Sequence, residues 1–390
     1  MVHNYYRSAS PSGENRSFED EVALLRRYGH SVQTYTQRSD DAKAASLAAK
    51  SSLALRTVWS REDRKALGML LDSVKPDLVH IQNTFPLIST SILSACEEHG
   101  IPVVQSLRNF RLLCVNGQLF RDGQICEKCL KLRVPWWGVV HGSYRNSHTL
   151  SAVVATSSIL HRRRSSMIDR YVVASRFAMK TFETAGFPMG KFRLKPNFLL
   201  DDPGAGDQRF PRALFAGRLT REKGVDLLLE AWRRIPPDKD LKLVFAGDGE
   251  LRAAVEKAAH LDDRISLLGQ IERQELFSQM KQASFLVCPF RSYETFGNVA
   301  VEALACGLPV LAPDRGALPE VVASKQEGIL FEPDSVSDLA RKLMEMTRFA
   351  TPASTRAARR SYELRFTPLI AYERTMEIYE QLVEGRKADG

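Results

Sequence analysis

Short apolar segments rich in β-branched residues alternate with longer segments of helical periodicity along most of this chain. Strand, turn, helix and strand at this spacing are typical of parallel sheets whose two faces are covered by helices. Five strands are predicted in the first half, "MVHNYY", "HSVQTY", "DLVHIQ", "IPVVQSL" and "RYVVAS", and six in the second, "ALFAG", "LKLVFAG", "RISLLG", "SFLVCPF", "PVLAP" and "GILFEP". The pattern predicts an α/β fold.

A stretch rich in proline, glycine and aspartate, "KPNFLLDDPGAGDQRFPR", interrupts this alternation. It is typical of a linker, and the 390 residues exceed what one hydrophobic core usually holds. We therefore predict two doubly wound, Rossmann-like domains that face each other across a cleft, with ligands outside the carboxyl ends of the strands. The predicted boundaries are 1–196 for the first domain, 197–211 for the linker, 212–368 for the second domain and 369–390 for a closing helix with its tail.

Several features bear on the compartment of the protein. No apolar run approaches the roughly 20 residues that cross a bilayer, and no N-terminal segment resembles a signal peptide. The six cysteines are scattered, which fits a reducing compartment better than a disulfide scaffold. We therefore expect a cytoplasmic protein. Because the first predicted strand begins at Met1, we expect the natural start of the chain a few residues upstream.

The positive charge is concentrated in the first half of the chain. Residues 1–200 contain 28 Lys and Arg against 16 Asp and Glu, a net charge of +12, whereas residues 201–390 have a net charge of −3. The densest cluster is Arg162, Arg163, Arg164 and Arg170 in "HRRRSSMIDR". No nucleic-acid motif accompanies it, so anionic lipid headgroups or a phosphate-bearing acceptor at a membrane are the favoured partners. A merely solvated basic face is the alternative.

Three turns that follow predicted strands of the second half carry the residues suited to a ligand site. In "FAGRLTREKGVDLLLEAW", Arg218 and Lys223 precede a helix start, and cations beside free N–H groups suit a diphosphate. In "VFAGDGELRAAV", Gly249 allows close backbone approach to a ligand, although a plain tight turn explains it equally well. An exposed basic turn is the corresponding alternative for the first segment.

The third turn is "YETFGNVAVEALACGLPV", which contains two carboxylates eight positions apart. We predict a helix that starts near Gly297 and ends at Gly307, so N–H groups of Phe296, Gly297 and Asn298 can face a phosphate or a sugar hydroxyl. Glu294 lies before the helix and Glu302 just over one turn inside it. Both acids are therefore predicted to reach the same ligand, with Glu302 suited to a ribose diol.

The ordered motifs "GRLTREKG", "AGDGELR", "YETFGNVAVEALACGLPV" and "GALPEVV" resemble those of retaining glycosyltransferases with the GT-B fold, family 4. The resemblance covers the second domain and extends more loosely to the first. It implies that Arg218 and Lys223 bind the donor diphosphate and stabilise the leaving nucleoside diphosphate. It also implies that Glu302 holds the ribose, and that Glu294 contacts the transferred sugar with the backbone at Phe296–Asn298.

The resemblance implies further donor and acceptor contacts in the first domain. Gly13 in "SPSGENR" corresponds to a glycine-rich loop near the donor phosphates, although Ser12 stands where many members have another glycine. Many relatives have a catalytic histidine in the first domain, and here "QSLRNFRLL" offers Arg108 and Asn109 instead. Arg108 is therefore the predicted contact to a donor phosphate or an anionic acceptor; His80 and His141 are alternative candidates.

Metal binding has one candidate, in "CVNGQLFRDGQICEKC". Cys114, Cys126 and Cys129 lie close in sequence, and His141 offers a fourth ligand for zinc, whereas buried reduced thiols are the favoured alternative. No divalent cation or other cofactor is expected, since the resemblance implies a donor site that generally needs none.

The sequence thus predicts transfer of a sugar from a UDP- or GDP-sugar, with retention, to a glycan acceptor, lipid-linked, in cell-surface polysaccharide synthesis. A donor phosphate oxygen is expected to deprotonate the acceptor on the same face. Two other functions stay open on the same fold: epimerisation or phosphorolysis of a nucleotide sugar, and a non-catalytic nucleotide-sugar-binding protein. The intact set Arg218, Lys223, Glu294 and Glu302 weighs against the last.

Overall fold

A computed structural model describes residues 1–6, 13–40 and 47–389 of the chain. The chain divides into two compact units. The first comprises residues 1–119, 126–196 and 371–390, and the second comprises residues 120–125 and 197–370. The chain therefore enters the second unit briefly at residues 120–125, returns to the first, enters the second again at residue 197 and returns to the first at residue 371.

The first unit contains a parallel sheet of six strands in the order β2-β1-β3-β4-β7-β8. Its strands are β1 (Val2–Tyr5), β2 (Tyr35–Arg38), β3 (Val79–Asn83), β4 (Val103–Ser106), β7 (Arg170–Val173) and β8 (Phe192–Leu194). Its helices are α1 (Gly13–Arg27), α2 (Leu47–Val58), α3 (Arg61–Val74), α4 (Ile92–Glu98), α5 (Trp136–Val140), α6 (His148–Arg163) and α7 (Arg176–Thr184), with 3₁₀ turns at Ser165–Met167 and Met189–Lys191.

The second unit repeats this plan with the strand order β11-β10-β9-β12-β13-β14, again all parallel. Its strands are β9 (Arg212–Ala216), β10 (Lys242–Ala246), β11 (Ile265–Gly269), β12 (Phe285–Val287), β13 (Val310–Pro313) and β14 (Gly328–Phe331). Its helices are α8 (Val225–Trp232), α9 (Arg252–Leu261), α10 (Arg273–Gln282), α11 (Asn298–Ala305), α12 (Leu318–Val321), α13 (Val336–Phe349) and α14 (Pro352–Arg365). The six strands predicted in this half are all present, so the predicted α/β class and the doubly wound parallel sheets are confirmed.

The first unit differs from the prediction at two edge strands. The predicted strand "HSVQTY" starts only at its last residue, Tyr35, because its single neighbour β1 pairs from Val2↔Tyr35 to Tyr5↔Arg38. At the opposite edge, β8 was not predicted: its three residues, "FRL", lie next to the segment assigned to the linker. Both errors concern strands with one neighbour, where few apolar residues are needed.

A β-hairpin with a two-residue turn was also not predicted. Strands β5 (Phe120–Arg121) and β6 (Gln124–Ile125) pair antiparallel around Asp122 and Gly123, which both have positive φ angles. An Asp-Gly pair between two short strands is a recognised signal for this turn. The sequence contained that signal, within the cysteine-containing segment that was considered for zinc.

The chain ends with the 22-residue helix α15 (Pro368–Asp389). Ile378, Tyr379 and Leu382 of this helix form one buried cluster with Leu25, Val104 and Val172 of the first unit. Burial of these side chains gives the favourable free energy that holds the helix on the sheet. Among the described residues, no helix has the length and hydropathy that a membrane span requires.

Candidate functional site

The topology of the second unit creates a natural ligand position. After β9 the chain builds β10 and β11 on one side of the sheet, and it then crosses to build β12 and β13 on the other side. In open parallel sheets, ligands bind where this order reverses, outside the carboxyl ends of the two central strands. Residues that directly follow β9 and β12 are therefore the ones to consider.

The turn after β9 carries both predicted cations. Arg218 is exposed, and its Nη2 lies 3.2 Å from Glu222 Oε1. Gly224 ends the turn and precedes α8 with a φ of 70°. A Cβ atom at this position would lie 1.8 Å from the carbonyl oxygen of Pro289, so only glycine allows the turn to lie against the end of β12.

Lys223 and Glu294 form the central contact of the site. The Lys223 Nζ donates a hydrogen bond of 2.6 Å to Glu294 Oε1, and the two side chains are 19% and 20% exposed. The same ammonium lies 4.4 Å from the centre of the Phe290 ring, a cation–π contact. The structure thus joins two of the predicted site residues, 71 positions apart in sequence, in one ion pair.

The backbone around Glu294 is fixed by two neighbouring segments. The N–H groups of Arg291 and Ser292 donate to the carbonyl oxygen of Glu222, which ties the segment after β12 to the turn after β9. The N–H of Ala317 donates to the carbonyl oxygen of Glu294 at 3.1 Å. The motif "GALPEVV" therefore has a structural role: it holds the residue that pairs with Lys223.

Helix α11 begins directly after this segment. Its first residue, Asn298, accepts a 2.7 Å hydrogen bond at Oδ1 from Asn197 Nδ2, and Gly297 precedes the helix. The Phe296 side chain is buried against the ring of Phe366, so only its backbone can serve a ligand. A helix N-terminus with its positive partial charge, which follows the segment that Lys223 contacts at Glu294, suits a phosphate group.

Glu302 lies one turn inside α11 and contacts a residue that the sequence analysis did not identify. Arg273 Nη2 of α10 lies 3.3 Å from Glu302 Oε1, and both side chains are partly buried. A guanidinium that donates to a carboxylate limits its rotation. No motif links the two residues, because the fold alone brings α10 next to α11.

Gly249 has a packing role in the structure. The turn after β10 lies against the turn after β9, with the Leu219 N–H donating to the Asp248 carbonyl at 2.9 Å. A Cβ atom at Gly249 would lie 2.6 Å from the Leu219 carbonyl oxygen. Contact with a donor stays a prediction for this residue.

Gly13 and Arg108 are candidates that belong to the first unit. Gly13 is exposed and begins α1; Ser12 lies outside the described residues. Arg108 is largely buried and donates to Gln82 Oε1 at 2.8 Å and to Glu21 Oε1 at 2.7 Å. This ion pair gives Arg108 a structural task in the core, and its contact with a donor or acceptor stays a prediction.

His80 belongs to the same buried group as Arg108. Its Nδ1 lies 2.5 Å from the hydroxyl of Tyr379 and its Nε2 lies 2.9 Å from that of Ser106. Burial lowers the pKa of His80 to about 3, so the imidazole is neutral at physiological pH. A histidine held between two hydroxyls in the interior is suited to packing rather than to proton transfer with a substrate.

Glu21 and Lys195 complete this group, and neither was predicted from the sequence. Glu21 Oε1 accepts from Lys195 Nζ at 2.7 Å, and Glu21 Oε2 accepts from Gln82 Nε2 at 2.6 Å. A sequence signal for Glu21 existed: it lies on the same face of α1 as the buried Phe18, Val22 and Leu25. An acid at such a position is seldom buried unless it is paired.

Two of the three cysteines that were considered for zinc have buried thiols. Cys114 and Cys129 are buried, and burial raises the pKa of both thiols. His141 stacks on the Trp137 ring at 5.7 Å between ring centres. Across residues 1–6, 13–40 and 47–389, no group of three or more His, Cys, Asp and Glu side chains is placed to hold a metal ion.

Comparison with known proteins shows what the second unit resembles. The family model described as glycosyl transferases group 1 matches residues 210–348. An uncharacterized glycosyltransferase of Methanocaldococcus jannaschii is 41% identical over 143 residues, which cover 36% of this chain and 39% of that protein. An uncharacterized 42.6 kDa protein from the cps region of Klebsiella pneumoniae is 27% identical over 263 residues, covering 66% of this chain and 62% of its own length. The chain therefore matches less than two thirds of either relative.

The solved structures extend the likeness to both units. Anabaena HepE in complex with UDP-glucose matches with a TM-score of 0.65 at 18% identity, over 98% of this chain and all of HepE. At this identity the match establishes the fold, which is the GT-B fold predicted from the motifs. Residues 210–348 of this chain thus match the glycosyl transferases group 1 family model, and the chain as a whole has the GT-B fold.

Proposed function

We propose that the protein is a retaining glycosyltransferase that transfers a sugar from a UDP- or GDP-sugar to a lipid-linked glycan acceptor in cell-surface polysaccharide synthesis. The observation that carries this proposal is the Lys223–Glu294 ion pair beside Arg218, at the point where the strand order of the second unit reverses. UDP-glucose binding by HepE and the cps region of the Klebsiella relative support the donor and the pathway class.

In the proposed reaction, the residues of the site act on three parts of the donor: the diphosphate, the transferred sugar and the ribose. Lys223 and Arg218 stabilise the charge that develops on the departing diphosphate, while the N-terminus of α11 adds backbone N–H groups. Glu294 orients Lys223 and contacts hydroxyls of the transferred sugar. Glu302, held by Arg273, accepts hydrogen bonds from the ribose diol.

The bond changes balance without a cofactor. The acceptor hydroxyl oxygen forms a bond to the anomeric carbon as the bond from that carbon to the diphosphate oxygen breaks. The acceptor proton passes to a donor phosphate oxygen on the same face, so configuration is retained. The products are the extended glycan and a nucleoside diphosphate, and neither a divalent cation nor a nucleic acid takes part.

Product analysis tests this function against the two alternatives. Purified protein is incubated with UDP- and GDP-sugars, with and without a lipid-linked sugar, and products are followed by mass spectrometry and by NMR of the anomeric proton. Sugar transfer with retained configuration is the expected result. Formation of an epimerised donor would show that the protein is an epimerase. Formation of a sugar phosphate only when phosphate is added would show that it is a phosphorylase. Binding without any turnover would leave a nucleotide-sugar-binding protein.

The proposed ribose contact predicts a loss of nucleotide affinity in Glu302→Ala. Hydrogen bonds to a charged group contribute about 1.5–3 kcal/mol, so UDP or GDP should bind about 10- to 100-fold more weakly. Isothermal titration calorimetry measures this change. Glu275→Ala removes an exposed acid from α10 and serves as the control, with unchanged affinity. Wild-type affinity in Glu302→Ala would contradict the proposed contact between Glu302 and the ribose.

A further inference from the structure

One surface of the first unit exposes large apolar side chains that the proposed reaction does not use. Five of them lie within nine residues: Leu132, Val134, Trp136, Trp137 and Val140. Trp136 is 58% exposed and Trp137 is 42% exposed. Singly exposed apolar side chains are ordinary, whereas a contiguous group marks a binding surface. We call these five residues, with the exposed cations Lys128, Lys131 and Arg133, the tryptophan surface.

The exposure of the tryptophan surface is built into the fold. Cys129, Leu130 and Pro135 are buried beneath it, and a Cβ atom at Gly138 would lie 2.5 Å from the Val115 side chain. The segment is therefore pressed onto the body of the first unit while its tryptophans point away from it.

A basic side chain from α6 fixes the same segment from below. Arg162 donates from Nη1 to the Leu132 carbonyl at 3.1 Å and from Nη2 to the Ala185 carbonyl at 2.7 Å. These two bonds join the start of the tryptophan surface to the residue after α7. An anchored backbone means that the apolar side chains are displayed without a further cost in ordering the chain.

The charge around the tryptophan surface is predominantly positive, although the exposed acid Glu127 directly precedes Lys128. From Lys128 to Ile168 the sequence contains seven Lys and Arg and no Asp or Glu. Lys128 also lies 5.7 Å from the centre of the Trp137 ring, so cation and aromatic ring are adjacent. A second copy of this chain would bring equal charges together, which opposes self-association. The complementary partner is anionic.

Tryptophan beside lysine and arginine is the composition that favours the interface of an anionic bilayer. The indole ring places its apolar body among the acyl chains and its N–H among the headgroups, while nearby cations attract anionic lipid. We propose that the tryptophan surface docks the first unit onto an anionic lipid bilayer, with Trp136 and Trp137 inserted at the level of the headgroups. Only the purpose of this docking, access to a lipid-linked acceptor, rests on the proposed function.

Vesicle binding by the full chain tests the proposal. Co-sedimentation is measured with vesicles of phosphatidylcholine alone and with equal parts of phosphatidylcholine and phosphatidylglycerol; we expect binding to the mixed vesicles. Trp136 and Trp137 are the exposed tryptophans, since Trp232 is buried and Arg164 covers the Trp59 ring at 4.5 Å. Lipids with brominated acyl chains should therefore quench the intrinsic fluorescence.

Two double variants separate the apolar contribution to vesicle binding from the electrostatic contribution. Trp136→Ala with Trp137→Ala should weaken binding to the mixed vesicles at least about tenfold. Lys131→Glu with Arg133→Glu should weaken it at least about 25-fold, since each cation near the surface contributes about fivefold. The matched controls are Leu261→Ala with Leu364→Ala, and Arg356→Glu with Arg360→Glu, all exposed positions of the second unit. Both controls should bind as the wild type does.

Several outcomes would overturn the proposal. The first is equal sedimentation with neutral vesicles, or none with either kind. The second is wild-type affinity in the tryptophan double variant, with thermal unfolding confirming that it is folded. The third is a dimer that this variant dissociates, because the surface would then join two copies. Nucleotide binding and transfer to a soluble acceptor are measured in parallel: their failure counts against the proposed function and leaves vesicle binding as evidence for the surface.

Discussion

Lys223→Ala is expected to lower kcat by about a thousandfold, since one preorganised cationic donor at a developing charge contributes about 10²–10³ in rate. The physical reason is that the Lys223 ammonium, fixed by Glu294 at 2.6 Å and by the Phe290 ring, cannot be replaced by water in the same position. Glu294→Ala should also lose most turnover, because it removes both the orienting carboxylate and the proposed sugar contact. Initial rates at saturating donor and acceptor measure both effects.

The fold should survive these changes. A partly exposed ion pair contributes about 1 kcal/mol or less to stability, so the melting temperature should fall by a few degrees at most. Arg221→Ala is the matched control, an exposed basic residue in the same turn, and its kcat should stay within about twofold of the wild type. Transfer at the wild-type rate by folded Lys223→Ala would contradict the role assigned to this residue.

The largest effect on stability is expected for Glu21→Ala. This carboxylate is 4% exposed and accepts hydrogen bonds from Lys195, Arg108 and Gln82. Its removal deprives two buried cations of their carboxylate, and breaking a buried ion pair from one side costs about 3–5 kcal/mol. Thermal and urea unfolding followed by circular dichroism measure the loss. Glu19→Ala, an exposed acid two positions earlier on α1, should change the free energy of unfolding by less than about 0.5 kcal/mol.

The same carboxylate predicts how stability depends on pH. Burial alone would raise the pKa of Glu21, but the Lys195 ammonium and the Arg108 guanidinium hold it far below its ordinary value of 4.5. The unfolded chain therefore takes up the proton first as the pH falls, and the stability that Glu21 provides is present above pH 4.5 and is lost below it. In Glu21→Gln this part of the acid sensitivity should disappear. An unchanged slope of stability against pH below 4.5 would contradict the assignment.

Four strands of the second unit were predictable from sequence because they are central and apolar. β9, β10, β12 and β13 are buried over almost all their residues, and turns that contain glycine separate them from amphipathic helices. The edge strands β2 and β8 of the first unit were placed wrongly or missed. An edge strand pairs with only one neighbour and its other side faces solvent. Its residues are therefore often polar, so the apolar pattern that predicts a strand is weak.

The contact between Lys223 and Glu294 was predictable in part, because both residues lie on turns that follow the two central strands of one sheet. Their binding to a donor stays a prediction. The Arg273–Glu302 contact and the pairing of Glu21 with Lys195, 174 residues away, arise from helix packing and from strand order. Sequence spacing contains no measure of such distances. The only sequence indication was the position of Glu21 on the apolar face of α1, which is typical of a buried and paired acid.

The return of α15 to the first unit determines when that unit can be completed. Ile378, Tyr379 and Leu382 belong to its buried cluster, yet they follow residues 197–370 in the sequence and are synthesised after them. Residues 197–370, synthesised earlier, make up nearly all of the second unit. During translation, part of the apolar surface of the first unit therefore stays exposed until the second unit has been synthesised.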